Sequence, residues 1–320
     1  MAMAMGQVMR GEAAPSQIGA LLVGMGVQGE TADEVTGTVR ALRAAMVRVR
    51  VDDRRHLVDT CGTGGGAVTT FNISTAAAFV AVGAGARVAK HGNRSYSSKC
   101  GSADVLEALG IAIEVDADTA ASLIERAGMA FLFAPTFHPA MRHVAPIRKE
   151  LGITTIMNIV GPAANPAGVT RQVIGVADPK RAPVLAEVLA RLGAEHALVV
   201  HGVAGLDEIS PAGVTQYWEV RGSTIEEGEL DPKRYGLAHQ DLDALAGGVP
   251  AENAERIKRL LEEPGRDPAG RSAVTLNAGA AVYVAGLAPS LGDGMEAAAA
   301  SLEEGRGLHA VERLRSENPV

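Results

Sequence analysis

The stretch Asp59–Ala81, DTCGTGGGAVTTFNISTAAAFVA, decides how the chain folds. It closes a short apolar run that begins at His56, breaks into a loop with glycine at 62, 64, 65 and 66, and resumes as an apolar segment from Ser74. Strand, tight loop, helix is the reading this order supports. Glycine allows sharp turns and lets a ligand approach the backbone. Asn72, Ser74 and Thr75 stand at the start of the helix, where free N–H groups and the helix dipole favour an anion. A Walker A loop requires a Gly-Lys-Ser/Thr ending, which is missing. Gly62, Gly64 and Ala67 satisfy a dinucleotide-binding pattern, but Ala86–Lys90 lacks the acidic residue expected about twenty positions on. A glycine-rich turn before a capped helix accounts for the stretch equally well.

The next strand candidate, ARVAKHG, runs into a second loop, and SADVLEALG reads as the helix after it. Loops at the carboxyl ends of neighbouring parallel strands face one crevice. The second loop adds cations (Lys90, Arg94, Lys99) and hydroxyls (Ser95, Ser97, Ser98, Ser102) to the backbone donors of the first. Together they suit a ligand with several phosphates, since charge-assisted hydrogen bonds to phosphate are strong. The bland alternative is a solvated loop in which Asn and Ser cap turns, with Ser102 as the N-cap of its helix.

Downstream the alternation continues: IAIEV as a strand, DTAASLIERAG as a helix, MAFLFAP as a strand, then RQVIGVAD, RAPVLAEVLARLG, HALVVHG and TQYWEV. This order predicts a mainly parallel sheet covered on both faces. Upstream, PSQIGALLVGMGVQG and TADEVTGTVRALRAAMVRV read as helices, the second capped by Thr31 with Asp33 and Glu34 in its first turn. Residues 138–158 look helical again and are expected to fold back on this helical region. The tail EGRGLHAVERLRSENPV is expected to be a fraying surface helix.

A chain of 320 residues suits one large domain or two unequal ones. Only 3% of residues are aromatic, so the core must be aliphatic. The net charge of −7 argues against a nucleic-acid or anionic-membrane partner. Two cysteines, Cys61 and Cys100, supply neither a disulfide framework nor a zinc pattern, which fits a reducing cytoplasm. The first ten residues lack a signal-peptide core, and no run reaches the ~18 apolar residues of a spanning helix. A soluble cytoplasmic protein is expected.

The two loops together resemble anthranilate phosphoribosyltransferases. The resemblance extends to SQIGALLVGMGVQGETADEVTG (16–37), HPAMRHVAPIRKELGITTIMNIVGPAANP (138–166) and VVHGVAGLDEIS (199–210), and so covers nearly the whole chain. It implies an α/β protein of the nucleoside-phosphorylase-like (class III phosphoribosyltransferase) fold. That fold has a small helical domain, residues 1–52 joined by helices from about 138–160, and a larger α/β domain, residues 53–320, with a mainly parallel central sheet. It implies transfer of phosphoribose from 5-phosphoribosyl 1-pyrophosphate to the amino group of anthranilate. By the same resemblance Gly62, Gly65, Gly66, Thr70, Asn72, Ile73, Ser74 and Thr75 line the pyrophosphate side. Lys90, His91, Gly92, Asn93, Arg94, Ser95, Ser97, Ser98 and Ser102 form the opposite wall. Asn93 and Arg148 face anthranilate, and Asp207, Glu208 and Ser74 bind Mg2+.

The family pattern has Asp where Gly66 stands, and Arg and Phe where Thr154 and Met157 stand, so the metal arrangement and the acceptor contacts are expected to differ. The resemblance also implies a homodimer through the helical domain and a further helix ahead of Ser16, for which the sequence leaves little room. Two other readings compete: a pyrimidine nucleoside phosphorylase of the same fold, and a non-catalytic relative that binds nucleic acid. KHGNR and GLDE disfavour the first; the charge and the aromatic content disfavour the second.

Overall fold

Seven strands make one sheet in the order β3-β2-β1-β4-β5-β6-β7. The strands are β1 Leu57–Gly62, β2 Arg87–Gly92, β3 Met129–Phe133, β4 Arg171–Gly175, β5 His196–His201, β6 Thr215–Arg221 and β7 Thr224–Leu230. The computed structural model describes residues 1–66, 68–95 and 99–320. β1 to β5 are mutually parallel, and β6 and β7 extend the sheet antiparallel. β3 is buried along its whole length, as a parallel strand covered on both faces must be. The chain first adds β2 and β3 on one side of β1, then crosses over to add β4 and β5 on the other. The crevice between the carboxyl ends of β1 and β4 is therefore the topological switch point, where ligands bind in open α/β sheets.

One face of the sheet is covered by the helix Ile73–Gly83, in which Ala76 to Ala81 are all fully buried. Three helices from the end of the chain, Pro268–Val284, Leu291–Glu303 and Arg306–Glu317, pack around it. The expected fraying tail is thus a seated helix: Ala310, Val311 and Leu314 are buried, and Asn318 Nδ2 bonds Ala112 O at 2.8 Å. The other face carries the helical layer. Ala2–Met9, Pro15–Gln28 and Ala32–Ala45 share a core with Ala145–Leu151, Met157–Val160 and the sheet residues Ile174 and Val199. The short stretch ahead of Ser16 does form a helix, Ala2–Met9. Thr31 caps Ala32–Ala45 as expected, its hydroxyl accepting from Glu34 N.

Two local expectations are corrected. IAIEV forms no strand of the sheet; Ile111 makes a single bridge, to Pro319 near the end of the chain. Ser102 is the first residue of the helix Ser102–Ala108 and Gly101 is its N-cap; the side chain that captures Gly101 N is Asp104, at 2.8 Å. Among the described residues no helix is long and apolar enough to cross a membrane.

Candidate functional site

Three segments meet over the switch point. The first is the glycine loop after β1, in which Gly64 and Gly65 adopt φ of 67° and 78°, a left-handed conformation that favours glycine. The second is the wall after β2, and the third is the loop after β5 that carries Asp207 and Glu208. This third loop lies directly on the sheet ends. A Cβ at Gly62 would come within 2.5 Å of Asp207 Oδ2, one at Gly202 within 2.5 Å of Glu208 O, and one at Gly175 would collide with the Asp207 backbone. Glycines at the ends of three adjacent strands let the acidic loop settle where it does. Asn277, on Pro268–Val284, holds it there: Oδ1 accepts from Ile209 N and Nδ2 donates to Ile209 O, each at 2.9 Å.

Asp207 Oδ2 accepts from Gly64 N at 2.8 Å, and Glu208 Oε1 accepts from Ser74 N at 3.1 Å. The backbone donors expected to be free for an anion are therefore held by the two carboxylates. Burial raises the Asp207 pKa, and burial with the neighbouring Asp207 charge pushes Glu208 up to about 8. Glu208 also lines a void of about 10 Å³ with Thr60, Ser74, Gly175 and Asn277, room for one water. Two carboxylates and the Ser74 hydroxyl form an oxygen donor set of the kind Mg2+ prefers. Among the described residues no group of three or more His, Cys, Asp or Glu could hold a metal. Two carboxylates and a hydroxyl fit Mg2+ in the mode where phosphate oxygens and water complete its shell.

Lys90 is buried at 1% exposure, its Nζ donating to Thr60 O at 2.5 Å and to Ser74 Oγ at 3.3 Å. Burial lowers its pKa, against the opposing pull of Asp59, Cys61 and Glu208. Arg94 is not the free cation expected of it. Its guanidinium takes Glu107 in a two-point pair at 2.6 and 2.9 Å and Asp104 at 2.9 Å, and these carboxylates hold its pKa above the ordinary arginine value. Those partners sit on the following helix, which turns one charged residue of the wall into a brace for it. Asn93 O accepts from Ser102 Oγ and Ala103 N, each at 3.3 Å, while its own Oδ1 accepts from Arg94 N. Ser95 N donates to Asp104 Oδ2 at 3.2 Å. A side chain at Gly92 would strike Ser102 and Phe131. Ser97 and Ser98 lie outside the described residues.

Asn72 ties the two walls together. Its Nδ2 donates to Cys100 O at 3.2 Å, and its Oδ1 accepts from Asn253 Nδ2 at 2.9 Å. Thr70 is bridged to Ala246, Ile73 is fully buried, and Thr75 Oγ1 is buried with no partner among the described residues. Arg148 lies on Ala145–Leu151, partly exposed, in the helical layer. The sequence reading did not single out His138, Asp59 or Asn165. His138 packs its ring 5.0 Å from that of His91. His91 Nε2 and both His138 ring nitrogens are buried with no partner among the described residues. Burial holds the two pKa values down, to about 3 and about 4.

Residues 54–308 match the glycosyl transferase family α/β domain, and residues 1–46 match the helical bundle domain of that family. The chain is 50% identical to the anthranilate phosphoribosyltransferase of Pelotomaculum thermopropionicum over 97% of its own length and 88% of the relative's. It is also 50% identical to that of Rubrobacter xylanophilus, over 96% and 89%. It superposes on the crystal structure of anthranilate phosphoribosyltransferase from Thermus thermophilus with a TM-score of 0.93 at 43% identity, covering 99% of this chain and 94% of that one. The Saccharomyces cerevisiae enzyme in complex with PRPP and Mg gives a TM-score of 0.85 at 29% identity, covering 95% and 85%. On fold, domain content and identity along nearly its whole length, the chain belongs to the anthranilate phosphoribosyltransferase family.

Proposed function

We propose that the chain transfers the phosphoribosyl group from 5-phosphoribosyl 1-pyrophosphate to the amino group of anthranilate. The products are N-(5-phosphoribosyl)anthranilate and pyrophosphate, in tryptophan biosynthesis. One observation carries the reading: the glycine loop, Lys90 and the Asp207–Glu208 pair converge at the switch point of the sheet. Gly62, Gly65, Gly66, Thr70, Asn72, Ile73, Ser74 and Thr75 take the pyrophosphate side. Lys90, His91, Gly92, Asn93, Ser95 and Ser102 make the facing wall, and Arg148 takes the anthranilate carboxylate, which its planar fork suits.

Bound Mg2+, held by Asp207, Glu208 and Ser74, supplies charge neutralisation on the leaving pyrophosphate. Gly64 N and Ser74 N, the donors these carboxylates occupy, would be open to phosphate oxygens if the carboxylates took that ion. The buried Lys90 ammonium, already against Ser74 Oγ, places a positive charge behind the same oxygens. Asn93 stands between donor and acceptor and orients the aromatic amine, which attacks C1 as it becomes oxocarbenium-like. No strong base is required. The gain comes from positioning and from charge stabilisation of the leaving group. A cytoplasmic homodimer through the helical layer is part of the proposal; the exposed Met3 and Val27 on that layer are apolar surface such pairing would cover.

The test is to mix the protein with anthranilate, 5-phosphoribosyl 1-pyrophosphate and Mg2+ and follow anthranilate fluorescence. Loss of signal that requires all three supports the proposal. Fluorescence that persists, or phosphorolysis of uridine or thymidine in its place, rejects it.

A further inference from the structure

β1 and β2 pair through the backbone at only two positions, Leu57↔Arg87 and Val58↔Val88. Beyond them no further β1–β2 ladder pair forms among the described residues, on the way to the glycine loop and the Lys90–Asn93 wall. Two side chains span the gap. Lys90 Nζ reaches back to Thr60 O from β2. Asp59, from β1, accepts His91 N on Oδ1 at 3.1 Å, a donor that a continued ladder would have given to a backbone carbonyl.

The other Asp59 oxygen accepts Asn165 Nδ2 at 2.8 Å. Asn165 also donates to Ala89 O and accepts from Ala167 N, each at 2.8 Å. Its segment is tied to the helical layer, since Ala163 O accepts Arg43 Nε at 2.9 Å and Pro166 O accepts Val49 N at 3.1 Å. Asp59 is fully buried and Asn165 is 2% exposed, so water cannot replace either partner. One carboxylate therefore joins the middle of the glycine-loop strand, the start of the facing wall and the segment leading to the helical layer. An unpaired buried carboxylate would be strongly disfavoured in a sheet interior, and this one is fully engaged.

We propose that Asp59 is a positioning residue of the transferase site: its carboxylate sets the separation between the two walls and fixes that separation to the helical layer. It touches no reacting atom. Its action passes through the His91 backbone to Asn93 two residues on. The inference rests on the phosphoribosyl-transfer reading above.

Asp59→Asn is the direct probe. Both partners are donors, and an amide offers one acceptor oxygen, so one N–H is left facing the new NH2. The donor pocket around Ser74 and Asp207 makes no hydrogen bond to Asp59 and meets its charge through Lys90, whose bonds to Thr60 O and Ser74 Oγ the substitution leaves in place. With a wild type active in the three-component assay, folded Asp59→Asn should lose at least tenfold in kcat at 20 °C while the KM for 5-phosphoribosyl 1-pyrophosphate stays within threefold. A lower thermal midpoint with kcat within twofold of wild type would make Asp59 merely structural and overturn the proposal. So would a rise in that KM equal to the fall in kcat. If Asp59→Asn fails to fold, Asn165→Ala, which keeps the His91 bond, decides the matter. A threefold or greater loss of kcat at constant donor KM supports the proposal, and unchanged kinetics refute it. An inactive wild type would instead sink the transferase reading, and this inference with it.

Discussion

Gly175→Ala puts the least possible new matter at the most confined point of the site. The added Cβ would overlap the carbonyl carbon and oxygen of Asp207, both backbone atoms that no rotamer change can move. Restoring an ordinary C···O contact of ~3.3 Å requires the acidic loop to back away by about 1–2 Å. It cannot do so freely. Asn277 grips Ile209 twice, and Asp207 and Glu208 hold Gly64 N and Ser74 N. Breaking two to four such bonds, at about 1 kcal/mol each, predicts a stability loss of about 2–4 kcal/mol. The β4 ladder itself is untouched, so the fold should survive. A misplacement of about 1 Å in a reacting assembly can lower the rate about a hundredfold, and the carboxylates are displaced by at least that much. The assay is anthranilate fluorescence with Mg2+ titrated, beside calorimetry on the same sample. The expected result is kcat/KM down by about a hundredfold, a higher Mg2+ requirement and a lower thermal midpoint. Wild-type kinetics and an unchanged midpoint would show that the acidic loop does not press on the sheet as described.

Asp207→Asn with Glu208→Gln should abolish or greatly weaken Mg2+-dependent turnover, and an unchanged Mg2+ response in steady-state kinetics would count against the metal assignment. Arg148→Ala should raise the KM for anthranilate by about 10–100-fold, the loss of a charge-assisted pair, and that for the phosphoribosyl donor much less; equal effects on both would remove Arg148 from the acceptor side. The histidine contribution to stability should fall on acidification, because His91 and His138 titrate near 3 and 4 when folded against about 6.5 unfolded, so at these two sites the unfolded chain binds protons first. Their stabilising contribution is whole above pH 6.5 and is lost towards pH 3–4, by about 2 kcal/mol per histidine at pH 5. In urea unfolding His138→Leu should therefore lose about 2 kcal/mol less than wild type between pH 7 and 5, and parallel losses would contradict its burial as a neutral ring.

The strand, glycine loop and helix from His56 to Gly83 were legible because period, glycine placement and helix-start residues agree locally. The wall after β2 was legible as a site by its density of donors, but its charges were not. Arg94 finds its carboxylates 10 and 13 positions downstream, on a helix whose facing side is known only once it is docked. IAIEV alternates like a strand, yet Ile111 bridges only to Pro319, more than 200 positions downstream, a partner that a local pattern cannot report. Asp59 looked like one polar residue at the end of an apolar run; its meaning depends on Asn165, 106 residues away. The glycines at 175 and 202 likewise carry no signal until the loop that crosses them is in place.

The roof over the Ile73–Gly83 helix has a consequence for biosynthesis. That helix carries the glycine loop at its amino end, and its Ala76–Ala81 face is buried by elements drawn from residues 268–317. Ser301 Oγ bonds Val80 O at 2.7 Å, and Gly307 rests against Val80. On the ribosome the first substrate loop is therefore made early but cannot be seated until the last fifty or so residues have emerged. Until then an almost wholly apolar helix stands open, the kind of surface chaperones hold. Truncations after residue 267 should silence a site whose proposed substrate and metal ligands all lie upstream of the cut, and they also remove Asn277, which holds the acidic loop.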